Sequence, residues 1–281
     1  MRPVKPATDT CSRSLRFLYN TAAGRILLRP LVSRPVSVIA GKFLDTKVSC
    51  LFIKRFIKSG GIDMTDYEER KFSSFNDFFT RRVKPEARPC DRDASSLVSP
   101  CDGNLSAYRI TDRSVFTVKG VEYLLSELVK DDKVADKYLG GDLLIFRLAV
   151  DNYHRYVWCA DGTPDATVRI PGRYHTVQPI AMHRYKIFRE NAREYTVLHS
   201  DVFGDIVQME VGAMMVGRIC NPAPRGNVSK GDEKGRFEFG GSTIIMLLQK
   251  NAAEIDKEFF ENTAAGLETC VKCGEKIGSK R

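Results

Sequence analysis

The sequence predicts an α+β fold, with a basic helical N-terminal lobe followed by a largely antiparallel, β-rich core. Two observations on residue spacing point there. Within residues 12–60 apolar side chains recur at helical intervals, as in Leu15, Leu18, Ala22 and Ile26. From about residue 97 onward, short β-branched or aromatic runs alternate with Gly, Pro, Asn or Asp, the pattern of strands and turns. The third observation is charge. Residues 1–60 hold twelve Lys or Arg against Asp9 and Asp45, an excess of ten, and since the whole chain carries +9 the remainder is close to neutral.

The elements follow in order. Residues 51–58 read as an amphipathic helix that Gly60-Gly61 ends. Residues 75–82 read as a second short helix, with Ser73 or Ser74 as N-cap. Pro85, Pro89 and Pro100 then punctuate a loop. Strands are expected at 143–150, 166–170, 195–198, 206–211 and 244–248, interrupted by a helix over 123–129. There is no internal repeat and no low-complexity segment. With 281 residues, 43% hydrophobic and 28% charged, the chain can bury a full core as one large domain or two small ones. Its longest apolar runs, such as 36–40 and 244–248, fall far short of the ~18 residues that span a bilayer.

The basic lobe, with Leu, Ile and Phe interleaved, fits an anionic membrane surface. A solvated helix face is the plain alternative, and an Arg-rich transit peptide is another. Nucleic acid is not indicated, since no helix-turn-helix, zinc-finger or RNA-binding signature is present. Eight scattered cysteines without a secretory signal read as reduced cytosolic thiols. Cys270 and Cys273 form a C-x-x-C pair, but a structural zinc site needs a second pair of ligands, and none stands out.

Three constellations could carry chemistry. Asp102 sits in a Pro/Gly turn, Ser99-Pro100-Cys101-Asp102-Gly103, where an ordinary turn aspartate is also at home. His154 follows the 143–150 strand within Asp151-Asn152-Tyr153-His154-Arg155, and a lone histidine is more often structural than catalytic. The third is Phe239-Gly240-Gly241-Ser242-Thr243. Two glycines ahead of a serine permit a sharp, strained backbone and leave the preceding carbonyl open to the hydroxyl. That suits self-cleavage between Gly241 and Ser242 through an ester, whose elimination would convert Ser242 to a pyruvoyl group. On the local string alone a turn leading into a strand is favoured. Acid, imidazole and serine together could activate a hydroxyl nucleophile. A G-x-S-x-G elbow, a Rossmann fingerprint and a P-loop are all absent.

These residues, with Phe75-Asn76-Asp77-Phe78-Phe79-Thr80-Arg81-Arg82, Ala87-Arg88-Pro89, the run from Val211 to Ile219 and the run from Lys230 to Gly235, resemble phosphatidylserine decarboxylase over nearly the whole chain. The tail from Gly266 to Gly278 is similar to that of the shorter bacterial members, as is the basic N-terminal segment, which weakens the transit-peptide reading. The resemblance implies a proenzyme that cuts itself between Gly241 and Ser242 into a β chain, 1–241, and an α chain, 242–281. The α chain would begin with a pyruvoyl group derived from Ser242. That group would form a Schiff base with the amine of phosphatidylserine and act as the electron sink for its decarboxylation to phosphatidylethanolamine, with no metal. Asp102 and His154 would be catalytic. Residues 1–70 would be the membrane-facing lobe and 71–281 the decarboxylase core. The implied setting is peripheral, on the cytoplasmic face of the cell membrane, with a homodimer as a further partner.

One departure stands out. Many members carry a second histidine three residues after that of the Y-H-R motif, assigned to self-cleavage; here the position is Val157. Either His154 serves both steps or another group, such as His183 or His199, substitutes. Two other readings stay open: a pyruvoyl-dependent decarboxylase of a free amino acid, and a non-cleaving lipid-binding relative.

Overall fold

A computed structural model describes residues 2–7, 12–111, 113–118, 120–182, 185–214, 218–224, 226–240 and 242–281. The expected helical region resolves into α1 (Arg13–Asn20), α2 (Ala22–Leu31), α3 (Arg34–Leu44) and α4 (Ile53–Gly60). Thr21 ends α1 and caps α2, its hydroxyl accepting from Gly24 N at 2.9 Å. Gly61 closes α4 at φ +60°, a left-handed position that glycine takes without penalty. The next helix, α5 (Phe75–Phe79), starts where Ser74 accepts from Asp77 N at 3.1 Å. It stops three residues earlier than its apolar spacing suggests. Thr80 turns its carbonyl to Arg155 Nε, at 2.8 Å, and Arg81 reaches the Asp151 carbonyl, at 3.1 Å, so tertiary bonds replace the helical ones.

The core is built on a nine-stranded antiparallel sheet among the described residues. Its strand order is Val4–Pro6, Leu267–Val271, Gly103–Arg109, Asp142–Leu148, Ser242–Leu248, Gly204–Val211 and Arg193–Ser200, the last also pairing with Thr163–Pro164 and Val168–Ile170. The first described residues thus form an edge strand of the core sheet. Ser242–Leu248 lies in the middle, paired on both sides, and all seven of its residues are buried. Its Ile-Ile-Met-Leu-Leu run explains this, because a strand covered on both faces has no polar side to show. A three-stranded sheet, Ile219–Cys220, Glu233–Phe237 and Arg155–Val157, is joined to the main sheet by the buried ion pair of Lys234 with Glu210, at 2.7 Å. The helix expected over 123–129 is only Leu125–Val129. Tyr123 belongs instead to a hairpin strand, where its ring stacks on Phe116 at 5.4 Å.

Aromatic side chains fasten the helical lobe to this core. Phe56 of α4, Phe75 and Phe79 of α5, and Phe239 just ahead of the central strand form a set of rings 5.1–6.4 Å apart. Phe78 lies among Phe56, Phe72 and Phe75, with no exposed surface. Phe78→Ala should leave a cavity costing about 3–5 kcal/mol and lower the melting temperature by roughly 10 °C. An unchanged melting curve would show that these rings do not hold the lobe in place.

Candidate functional site

The three residues singled out in the sequence occupy one end of the main sheet. Ser242 opens the central strand opposite Leu148, and Gly103, next to Asp102, lies opposite the same end of the intervening strand. His154 follows Leu148 by way of a turn in which Asn152 Oδ1 accepts from Ala149 N at 2.8 Å. Gly241 lies outside the described residues, as does His183. The adjoining Gly240 has φ +133°, a backbone conformation essentially reserved for glycine. This supports the expectation of a strained approach to Ser242 and explains the first glycine of the motif.

Ser242 is completely buried, and its Oγ has no hydrogen-bond partner among the described residues. His154 is equally buried. Its Nδ1 donates to the Asn152 carbonyl at 2.9 Å, which leaves a lone pair on Nε2, and Nε2 has no partner either. Two unpaired polar atoms in a dry environment are costly unless something uses them. Phe79 packs between His154 and the segment ahead of Ser242, with its ring 4.1 Å from the imidazole and 5.2 Å from Phe239. The backbone adds a second link, since Phe237 N donates to the His154 carbonyl at 2.9 Å. Burial pushes the His154 imidazole down to about 3, with the Arg81 charge acting in the same direction. The ring is therefore neutral, and its Nε2 can accept a proton.

Asp102 is held differently. Arg88 reaches both carboxylate oxygens, at 2.7–3.0 Å, and Cys273 N donates to Oδ1 at 2.9 Å. Among the described residues no hydrogen bond joins Asp102 to His154. The Val157 side chain packs against Tyr67, Tyr153 and Cys273. Arg88 satisfies the carboxylate; burial works against its charge, and the contacts with Asp102 and Asp66 outweigh that and hold it protonated. His199 does not take the missing role. It sits at the hairpin end of its strand between Asp205 (2.7 Å) and Asp165 (3.1 Å), six residues along the Gly204–Val211 strand from the Ser242 end, about 20 Å away.

Several residues carry weight that the sequence did not reveal. Arg88 was visible only as part of a matching segment. Arg81 is buried against the rings of Tyr67 and Phe78, with Nε and Nη1 unpaired among the described residues. Glu210, on the strand beside Ser242, is buried in a polar cluster with Lys234 and the half-buried Asn221, and burial pushes its carboxyl up. Only contacts between distant parts of the chain bring these together, so no local signal marks them. Cys270 and Cys273 do not act as a pair: their thiols bond separately to Asn104 Oδ1 and to the Pro100 carbonyl.

Beside Phe239 lies an apolar cleft of about 390 Å³, lined by Phe43, Leu44, Phe52, Phe56 and Phe75 with Arg55 and Ser59 among its walls. It brings the helical lobe to within three residues of Ser242.

The buried imidazole has a consequence for pH. An unfolded His154 takes up a proton near 6.5 and the folded one only near 3, so between those values the unfolded chain binds more protons. Stability therefore falls as pH drops through that window. In His154→Gln the decline in melting temperature between pH 6.5 and 4.5 should be smaller than in the parent. An equal decline would show that His154 is not held neutral.

The chain was compared with known proteins. The family profile described as phosphatidylserine decarboxylase matches residues 75–279. A protein of Clostridium acetobutylicum named phosphatidylserine decarboxylase proenzyme 2 is 44% identical over 94% of this chain and 91% of its own length. Proteins of Clostridium novyi and Ruminiclostridium cellulolyticum named phosphatidylserine decarboxylase proenzyme are each 42% identical over 95% of this chain, and over 92% and 91% of their own lengths. Both measures show that the chain belongs to the phosphatidylserine decarboxylase family.

Proposed function

We propose that the chain matures by cutting itself between Gly241 and Ser242 and then decarboxylates phosphatidylserine to phosphatidylethanolamine. The observation that carries this reading is the pair of unpartnered, buried atoms, Ser242 Oγ and His154 Nε2, at the end of the central strand. In the first step Ser242 Oγ attacks the Gly241 carbonyl carbon, and His154 Nε2 takes the hydroxyl proton. The peptide bond becomes an ester. Loss of the Ser242 α-proton then expels residue 241 as a carboxylate, and water hydrolyses the resulting N-terminal dehydroalanine, by way of its imine, to the pyruvoyl group with release of the α-amino nitrogen as ammonia.

The surroundings suit such a group. Position 242 is anchored by strand pairing on both sides, and no charged side chain contacts its hydroxyl among the described residues. A pyruvoyl group there supplies Schiff-base chemistry, a carbonyl that takes up the substrate amine and draws off the electron pair left by CO2. His154 serves both maturation and decarboxylation, holding or releasing a proton at Nε2. Asp102, locked by Arg88, orients the turn and supplies negative charge rather than accepting a proton from an imidazole. Phe79 and Phe239 exclude water from the reacting end of the strand.

The cleft beside Phe239 favours a lipid substrate over a free amino acid, because its apolar walls match acyl chains. No helix among the described residues is long and apolar enough to cross a membrane. Exposed Leu51, Val48 and Ile39, set among Lys42, Lys47, Lys54 and Lys58, instead fit a lobe resting on an anionic bilayer at its cytoplasmic face.

Intact-mass analysis tests the maturation step. The purified protein should give fragments 1–241 and 242–281, the smaller blocked at its N-terminus, while Ser242→Ala and His154→Ala stay single chains of about 31.6 kDa. A His154→Ala protein that still splits normally removes the maturation role, and an uncut parent sinks the pyruvoyl reading. For the substrate, release of CO2 from phosphatidylserine should exceed that from free serine or aromatic amino acids by orders of magnitude. Comparable rates would favour the amino acid instead.

A further inference from the structure

A cationic cavity lies away from the sheet end just described. It has a volume of about 560 Å³ and is lined by Arg29, Val32, Ser33, Arg34, Gly172 and Arg173. Its guanidinium groups come from three segments: the end of α2, the start of α3, and the loop after the Val168–Ile170 strand. Among the described residues none of the three has a carboxylate or carbonyl partner. The buried arginines differ, since Arg88, Arg155 and Arg193 each bond two or more acceptors, whereas Arg29, Arg34 and Arg173 are exposed. Three like charges around one cavity repel one another, and an anion in the cavity relieves that repulsion.

The cavity is held open by its backbone. Tyr174 N donates to the Val32 carbonyl at 3.0 Å, which ties the loop to the end of α2. Arg173 is pinned on both sides, its N–H to Glu190 O and its carbonyl to Ala192 N, each at 2.8 Å. Gly172 packs so closely that a Cβ there would lie 2.4 Å from Glu190 O. Ser33 turns its hydroxyl to the Pro30 carbonyl, so the first turn of α3 has no side-chain cap and adds its own positive field.

The flanks identify the kind of anion. Ile26 and Leu27 on α2 are 66% and 55% exposed, and Ile39 on α3 is 67% exposed. Unburied apolar residues beside a cationic cavity match the boundary between lipid headgroups and acyl chains. Planar guanidinium groups pair with phosphate oxygens through two parallel bonds, and three such groups around one cavity suit an anion that offers several acceptor oxygens. The cavity is also remote from the cleft beside Phe239. Arg34 and Leu44 are the two ends of α3, eleven residues and therefore about 15 Å apart. We propose that Arg29, Arg34 and Arg173 bind the phosphate of an anionic lipid headgroup, at a site separate from the cleft beside Phe239.

The test uses the full chain and vesicles of phosphatidylcholine with or without phosphatidic acid. The triple variant Arg29→Gln, Arg34→Gln, Arg173→Gln is compared with Lys42→Gln, Lys54→Gln, Lys58→Gln, which removes equal charge elsewhere on the lobe. The arginine triple should weaken binding to phosphatidic acid vesicles at least about tenfold more than the lysine triple. Equal losses would mean diffuse surface attraction and overturn the site. Arg173→Gln alone, on the core loop and not on a helix, should still lose several-fold, and no loss in that variant counts against the proposal. Calorimetry with inorganic phosphate separates the sources. If phosphate binds through the three arginines while vesicle binding does not depend on them, the lipid assignment is overturned in favour of a free phosphate. Repeating the vesicle assay with Ser242→Ala keeps the outcome independent of self-cleavage.

Discussion

The pairing of the Ser242–Leu248 strand is the constraint on which the rest depends. It is bonded to Asp142–Leu148 on one side and to Gly204–Val211 on the other, and every residue in it is buried. A residue at the start of such a strand cannot drift. The backbone just before it, at Gly240, adopts a conformation that only glycine takes readily. Rigid strand and strained approach meet at the peptide bond ahead of Ser242. If that bond is cut, the segment from 242 onward remains fixed by the same ladder. It is held further along by Leu267–Val271, which pairs with both Gly103–Arg109 and Val4–Pro6.

Much of this was legible in the sequence because it depends on local patterns. The order of a helical region then strands, the Ser74 cap, the Gly61 stop and the core strand after Ser242 all follow from spacing and turn residues. Boundaries moved where tertiary bonds outbid local preference. Residues 80–82 read as helix but turn away to meet Asp151 and Arg155, and Tyr123 reads as helix but stacks across a hairpin on Phe116. The first described strand, Val4–Pro6, had no visible pattern of its own, since three residues at a sheet edge carry no periodicity.

The site was legible as a list of residues and not as a set of bonds. Asp102, His154 and Ser242 gather at one end of the sheet, yet the carboxylate bonds to Arg88 and the imidazole to the Asn152 carbonyl. Those partners differ from the acid–base–nucleophile chain that the residue types suggest. A buried carboxylate needs donors, and an unpaired one would be expensive. Arg88 meets that need, from fourteen residues upstream.

This arrangement also decides which group is free to move a proton. Asp102 accepts three bonds from Arg88 and one from Cys273, so protonating it would sacrifice charge-assisted contacts. Arg81 is a guanidinium, all donors, with no lone pair to accept a proton. The Lys234–Glu210 pair is buried and mutually satisfied. His154 Nε2 alone, among the described groups at this end of the sheet, combines a lone pair, no partner and a neutral resting state. On the proposed reading, a base that rests neutral in a dry pocket would gain a charge on taking the Ser242 proton. That charge would be stabilised by the Asn152 carbonyl at Nδ1 and opposed by Arg81, so the proton would be held only weakly and readily passed on.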